Sequence, residues 1–231
     1  MATTGMPIIM TDTLSTPALL RLAAWMSPAF PIGAFAYSHG IERAVHDGDI
    51  AGRADLRNWL ADLLTIGSMW NDAVLFAESW RRAGNGETLD EVAELGEAMA
   101  GAAERHLETM RQGSAFLAAA RAWDTSGVAL PAEAPLPVAA GAVAGAHAIP
   151  PEAALAVYLQ AFVTNLTQAG LRLLAFGQQD GVAIVAGLED TIADTARRAA
   201  GSSLDDLGAA TIRAEIAALT HETQYSRLFR S

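Results

Sequence analysis

The nineteen residues between Glu152 and Arg172 carry no charge, and they constrain the fold more than any other stretch. The pair Pro150-Pro151 opens the segment, where a fixed φ and a missing N–H suit the first turn of a helix. Gly177 closes it, as a residue able to take the left-handed conformation that often ends one. Leu155, Leu159, Phe162, Val163, Leu166 and Ala169 recur at helical spacing, and Ala156, Val157, Ala161 and Gly170 keep most other positions small or apolar. A helix apolar nearly all round is buried nearly all round, so residues 150–177 read as the hub of a helical bundle. The rival reading is a membrane span, because nineteen residues at about 1.5 Å each reach roughly 28 Å, about a bilayer core. Gln160, Thr164, Asn165, Thr167 and Gln168 sit in its middle, however, and no second span or flanking basic cluster accompanies it. The buried helix is favoured.

With 231 residues and 52% hydrophobic content, the chain can bury a sizeable core. Alanine and leucine dominate, and alternating Val/Ile/Tyr runs are nearly absent. The expectation is an all-α, single-domain helical bundle around a buried hydrophobic central helix. Residues 1–13 are expected as a flexible tail, 14–220 as the helical domain and 221–231 as a partner-binding tail. The N-terminal stretch lacks a basic region followed by a long apolar one, so a cytoplasmic location is expected.

A net charge of −11 repels phosphate backbones and anionic headgroups, so neither nucleic acid nor membrane is an expected partner. There is no cysteine, which excludes disulfides, thiolate nucleophiles and soft-sulfur metal sites. There is no lysine either; all fifteen basic residues are arginine. A GxxxxGK[ST] phosphate loop and a Schiff base are both ruled out.

Taken in order, Thr16-Pro17 starts a first helix as cap and first residue, and Ser27-Pro28 ends it. The loop SPAFPIGAF is apolar yet full of helix breakers, so Phe30, Ile32 and Phe35 either fold back or await a partner. A second helix is expected over 37–46, closed by Asp47-Gly48-Asp49. Helical patterns follow from Asp55 to Gly67 and from Asn71-Asp72 to Arg82. Thr88 and Glu91 have capping-box spacing for the next helix. A longer one spans 102–123, and after a proline-bearing loop the run VAAGAVAGAHA packs closely through its glycines. Residues 180–200 and 204–219 complete the set.

The motifs that could carry chemistry are weak. Ser38 in Ala36-Tyr37-Ser38-His39-Gly40 is one substitution from a GxSxG elbow, but that elbow needs a strand before it; a serine hydrolase, or a generic helical scaffold, is the alternative reading. Asp47-Gly48-Asp49 fails as a calcium loop, because Ala51 and Asn58 stand where ligands belong. His39 and His46, two turns apart on one helix face, lack further metal ligands. His221-Glu222 opens like HExxH, but position 225 is Tyr. No metal or cofactor is expected. Asn165, Gln168 and Arg172, with Gln178 after them, make a polar set on the hub that Arg111 and Gln112 could join, as an internal network or a polar path. In the tail, His221, Glu222, Tyr225, Arg227, Leu228, Phe229 and Arg230 mix aromatic, aliphatic and charged types. Tyr, Phe and Arg are enriched at interface cores, and a peptide that orders on a partner is favoured.

Four blocks, SPAFPIGAFAYSHGIE, MRQGSAF, NLTQAGLRLLAFGQQDG and HETQYSRLFRS, resemble in content and order the urease accessory protein F (UreF) family, with Ile41, Ala34 and Ala36 as small departures. The resemblance implies an all-α, non-enzymatic adaptor in nickel insertion into apo-urease. It also implies binding of UreD (UreH in some organisms), recruitment of the GTPase UreG, frequent homodimerisation and a water-filled path for the ion through the UreF–UreD pair. On this basis the tail is the expected UreD contact. Pro28, Pro31, Phe35, Tyr37, Ser38 and Glu42, with Tyr158, are the expected surface for UreG or a second copy.

Overall fold

The computed structural model describes residues 14–125 and 129–231, and the expected N-terminal tail lies outside them. Helix α1 (Thr16–Trp25) is capped by Ser15, whose hydroxyl accepts from the Ala18 N–H, so the cap falls one residue earlier than Thr16. The chain continues through α2 (Ile41–Asp47), α3 (Arg53–Ile66), α4 (Ser68–Asn85), α5 (Asp90–Ala98) and α6 (Ala103–Ala120). It ends through α7 (Leu136–Ala146), α8 (Pro151–Leu173), α9 (Gln178–Ala186), α10 (Glu189–Ala200) and α11 (Ile212–His221). No strand occurs among the described residues, and the protein is an all-α single-domain bundle.

Several boundaries differ from the sequence reading for local reasons. The second helix starts at Ile41 rather than Tyr37, because His39 (φ 59°) and Gly40 (φ 80°) are both left-handed. The hub stops at Leu173, and Gly177 is the extended cap of α9 instead of the end of α8. Residues 180–200 divide at Gly187-Leu188. Thr88 forms no cap; Leu89 takes that position, and Glu91 reaches back to Arg82 at 2.8 Å. The final segment begins as a 3-10 turn at Leu204–Asp206, and only α11 is a true helix.

Two helices share the central role. α8 packs on α1, α2, α3, α4, α7, α9 and α10, and so it is the hub by connectivity. Its inward side presents Leu155, Leu159, Val163 and Leu166, while Gln160, Thr164 and Asn165 on the other side are only half-buried. All-round burial belongs to α7, where every residue from Pro137 to Gly145 is buried. Gly141 and Gly145 permit this: a Cβ on either would lie 2.3 Å from the carbonyl oxygen of Phe76 or Trp80 on α4. No helix among the described residues is long and apolar enough to cross a membrane.

Candidate functional site

The C-terminal tail, the loop before α2 and the first half of α6 meet in one hydrogen-bonded nest. Glu42, in the first turn of α2, is buried. Its Oε1 accepts from the Leu228 N–H at 2.7 Å, and its Oε2 accepts from the Phe229 N–H at 2.9 Å. The same Oε2 lies 3.2 Å from Nε2 of His221, a fully buried ring at the end of α11. On its other side, His221 Nδ1 lies 2.6 Å from Glu104 of α6, whose second oxygen accepts from Arg227. The tail then donates from Arg230 N–H to the Ala36 carbonyl at 2.9 Å. The Ser231 carbonyl accepts from the Ser38 N–H at 2.8 Å and from the Ser38 hydroxyl. Phe229 is buried beneath the Arg172 guanidinium, 4.5 Å from its ring centre.

Behind the nest lies a second polar layer. Glu108 is buried and accepts from Arg105, from the Ser231 hydroxyl at 2.9 Å and from Gln112 at 3.2 Å. Burial works to raise its pKa, but the Arg105 guanidinium, with His39 3.6 Å away, outweighs it and holds the carboxyl down at about 2. Burial, helped by the positive charge of Arg105, depresses His39 to about 4, so the imidazole is neutral at neutral pH. Its Nε2 sits 3.3 Å from the Ser68 hydroxyl. His39, Ser68 and Asp72 line one small cavity of about 150 Å³, and burial pushes the Asp72 carboxyl up to about 6. Tyr158 beside it is raised well above its usual range, by burial and then by the charge of Asp72. Among the described residues no three His, Asp or Glu side chains are grouped to hold a metal.

The residues singled out from sequence separate into three sets. His221, Glu222, Ser38, Glu42, Gln112 and Phe229 are brought together in or beside the nest, with Glu222 accepting from the Ala103 N–H at the start of α6. Tyr225, Arg227, Leu228 and Arg230 are exposed on its outer side. Pro28, Pro31 and Phe35 are also exposed, near an apolar groove of about 330 Å³ between the 26–35 loop, α6 and α8. Tyr37 is buried, and so is Tyr158, which packs on Phe76 at 5.2 Å; neither is a surface contact. His39 and His46 share no helix face, since His39 precedes α2 and is buried while His46 is exposed. The polar set on the hub does not converge. Asn165 donates to the Ala34 carbonyl at 3.0 Å and Arg172 to the Phe35 carbonyl at 3.3 Å, while Gln168, Gln178 and Arg111 are exposed.

Ser38 has a fully buried hydroxyl committed to Ser231 and follows a 3-10 turn at Ala34–Ala36, so the strand that an elbow needs is absent there. Two acids that build the site, Glu104 and Glu108, were not singled out from sequence; the signal available was the polar group Glu104, Arg105, His106 and Glu108 on one helix.

A family model described as UreF matches residues 50–189. A protein of Rhizobium etli named urease accessory protein UreF is 57% identical over 96% of this chain and the whole of its own length. Urease accessory protein UreF 1 of Brucella canis is 58% identical over 97% of this chain and the whole of its own. The Brucella ovis protein named urease accessory protein UreF is 59% identical over 94% of this chain and 95% of its own.

Proposed function

The chain belongs to the UreF family of urease accessory proteins, and from that premise we propose that it is a non-enzymatic adaptor in nickel insertion. It binds UreD (UreH), recruits the GTPase UreG and acts on apo-urease in the cytoplasm. The observation that carries this reading is the two-sided tail: Phe229 is buried and its N–H, with that of Leu228, is bonded to Glu42, while the side chains of Tyr225 and Leu228 stand in solvent. Aromatic and aliphatic side chains held out on a fixed backbone lose little entropy on binding. That suits a docking element.

A chain without lysine or cysteine leaves the phosphate loop and any thiolate nickel site to its partners. The exposed Pro28, Pro31 and Phe35 surface, flanking the apolar groove, is the place for UreG or a second copy of this chain.

Deleting residues 221–231 would remove buried His221 and disturb the body, so point changes are the better test. The double variant Tyr225→Asp, Leu228→Asp keeps the nest and alters only its outer side. In size-exclusion chromatography with light scattering, the parent forms a complex with UreD and the variant loses at least about tenfold in affinity, roughly 1.4 kcal/mol. Equal binding by both removes the tail from the interface, and no binding by the parent removes the adaptor reading.

A further inference from the structure

Helix α11 is turned inside out. Ala214, Ala217 and Ala218 face the core, while Ile212, Ile216 and Leu219 remain 71%, 54% and 49% exposed. Those three positions, at i, i+4 and i+7, form one continuous aliphatic stripe. A soluble chain rarely leaves its largest side chains outside and its smallest inside unless something covers them.

Beside the N-terminal end of the stripe is a cleft of about 370 Å³, in which Ile212, Ile66 and Trp59 meet three aspartates, Asp49, Asp55 and Asp62. Neither the tail nor the 26–35 groove contributes a lining residue. Among the described residues the one ion pair there is loose: Arg213 lies 3.7 Å from Asp49 and is 82% exposed. The indole N–H of Trp59 and the hydroxyl of Thr211, which also lines the cleft, have no hydrogen-bond partner among the described residues.

We propose that the outer face of α11 and this acidic cleft form a docking surface for a basic, apolar segment of a partner protein. Its aliphatic side chains lie on the stripe, and its Lys or Arg side chains lie against Asp49, Asp55 and Asp62. Charge decides between occupants. A second copy of a chain at −11 would bring like charges together, whereas a basic segment neutralises the three aspartates and is steered toward them.

The test uses a short amphipathic helical peptide of leucine and lysine, and a counterpart with glutamate in place of lysine. Binding to the full chain is followed by fluorescence anisotropy. The Leu/Lys peptide binds, and Ile216→Asp weakens it at least about tenfold. The double variant Asp55→Lys, Asp62→Lys also weakens it and captures the Leu/Glu peptide. Ile216 is exposed and should tolerate the change; if circular dichroism shows misfolding, Ile216→Ser replaces it. The proposal is overturned if both variants bind the Leu/Lys peptide like the parent, or if the parent binds the two peptides equally. It is also overturned if light scattering shows Ile216→Asp converting a dimer to a monomer, which would assign the face to a second copy.

Discussion

Asp72 and His39 act on stability in opposite directions over the same range of pH. Asp72 has a folded pKa of about 6 against an ordinary 3.8, so between those values the folded chain keeps a proton the unfolded chain has lost. Stability therefore falls as pH rises through that window. His39 has a folded pKa of about 4 against 6.5, so there the unfolded chain holds the extra proton and stability rises with pH. The two slopes nearly cancel. Asp72→Asn removes one of them, and its unfolding free energy in urea is expected to drop more steeply than the parent's from pH 6.5 to 4, by up to about 3 kcal/mol. Parallel profiles would show that Asp72 titrates normally. Glu42 makes a different prediction. Glu42→Ala strips the acceptor from two amides in the tail, costs about 1–3 kcal/mol and speeds hydrogen exchange at Leu228 and Phe229; unchanged exchange there would mean that Phe229 and the bonds made by Arg227, Arg230 and Ser231 hold the tail without Glu42. None of these roles was legible from residue type. Tyr37 and Glu42 both looked like parts of an exposed surface, because burial in and just after a loop rich in prolines and glycines depends on which distant segment covers it.

At the scale of elements, the sequence was clearest where small residues recur. The glycines of VAAGAVAGAHA announced close packing, and the structure supplies the neighbour, the backbone of α4 at Phe76 and Trp80. Gly141→Ala and Gly145→Ala are each expected to destabilise the protein by about 1–3 kcal/mol through overpacking. Gly84→Ala on exposed helix surface has open space around it and should be neutral, or stabilising by up to about 1 kcal/mol. Thermal melts of the three variants check this, and equal midpoints would mean that α4 and α7 can move apart freely. Helix ends were harder to read. Gly177 fits equally well the end of α8 or the cap of α9, and only the extended Leu174 decides for the second. The hub read as buried nearly all round despite the polar residues in its middle, yet Gln160, Thr164 and Gln168 fall four apart and mark its wetter side.

Across the whole molecule, the all-α class followed from the excess of alanine and leucine and the lack of alternation, because periodicity is a local property. The nest was invisible for the converse reason. Its partners Ser38 and Ser231 are 193 residues apart, and no local pattern links them. That separation has a kinetic meaning. Contacts so distant in sequence close large loops and lag behind local ones, so the α4–α7 pair can form while residues 36–42 still wait for the tail. The stitch between Glu42 and Phe229 is then among the last to close, and Tyr225 is presented in its final setting only afterwards. A partner that reads this face would inspect the finished molecule, passing over chains whose folding had stopped short.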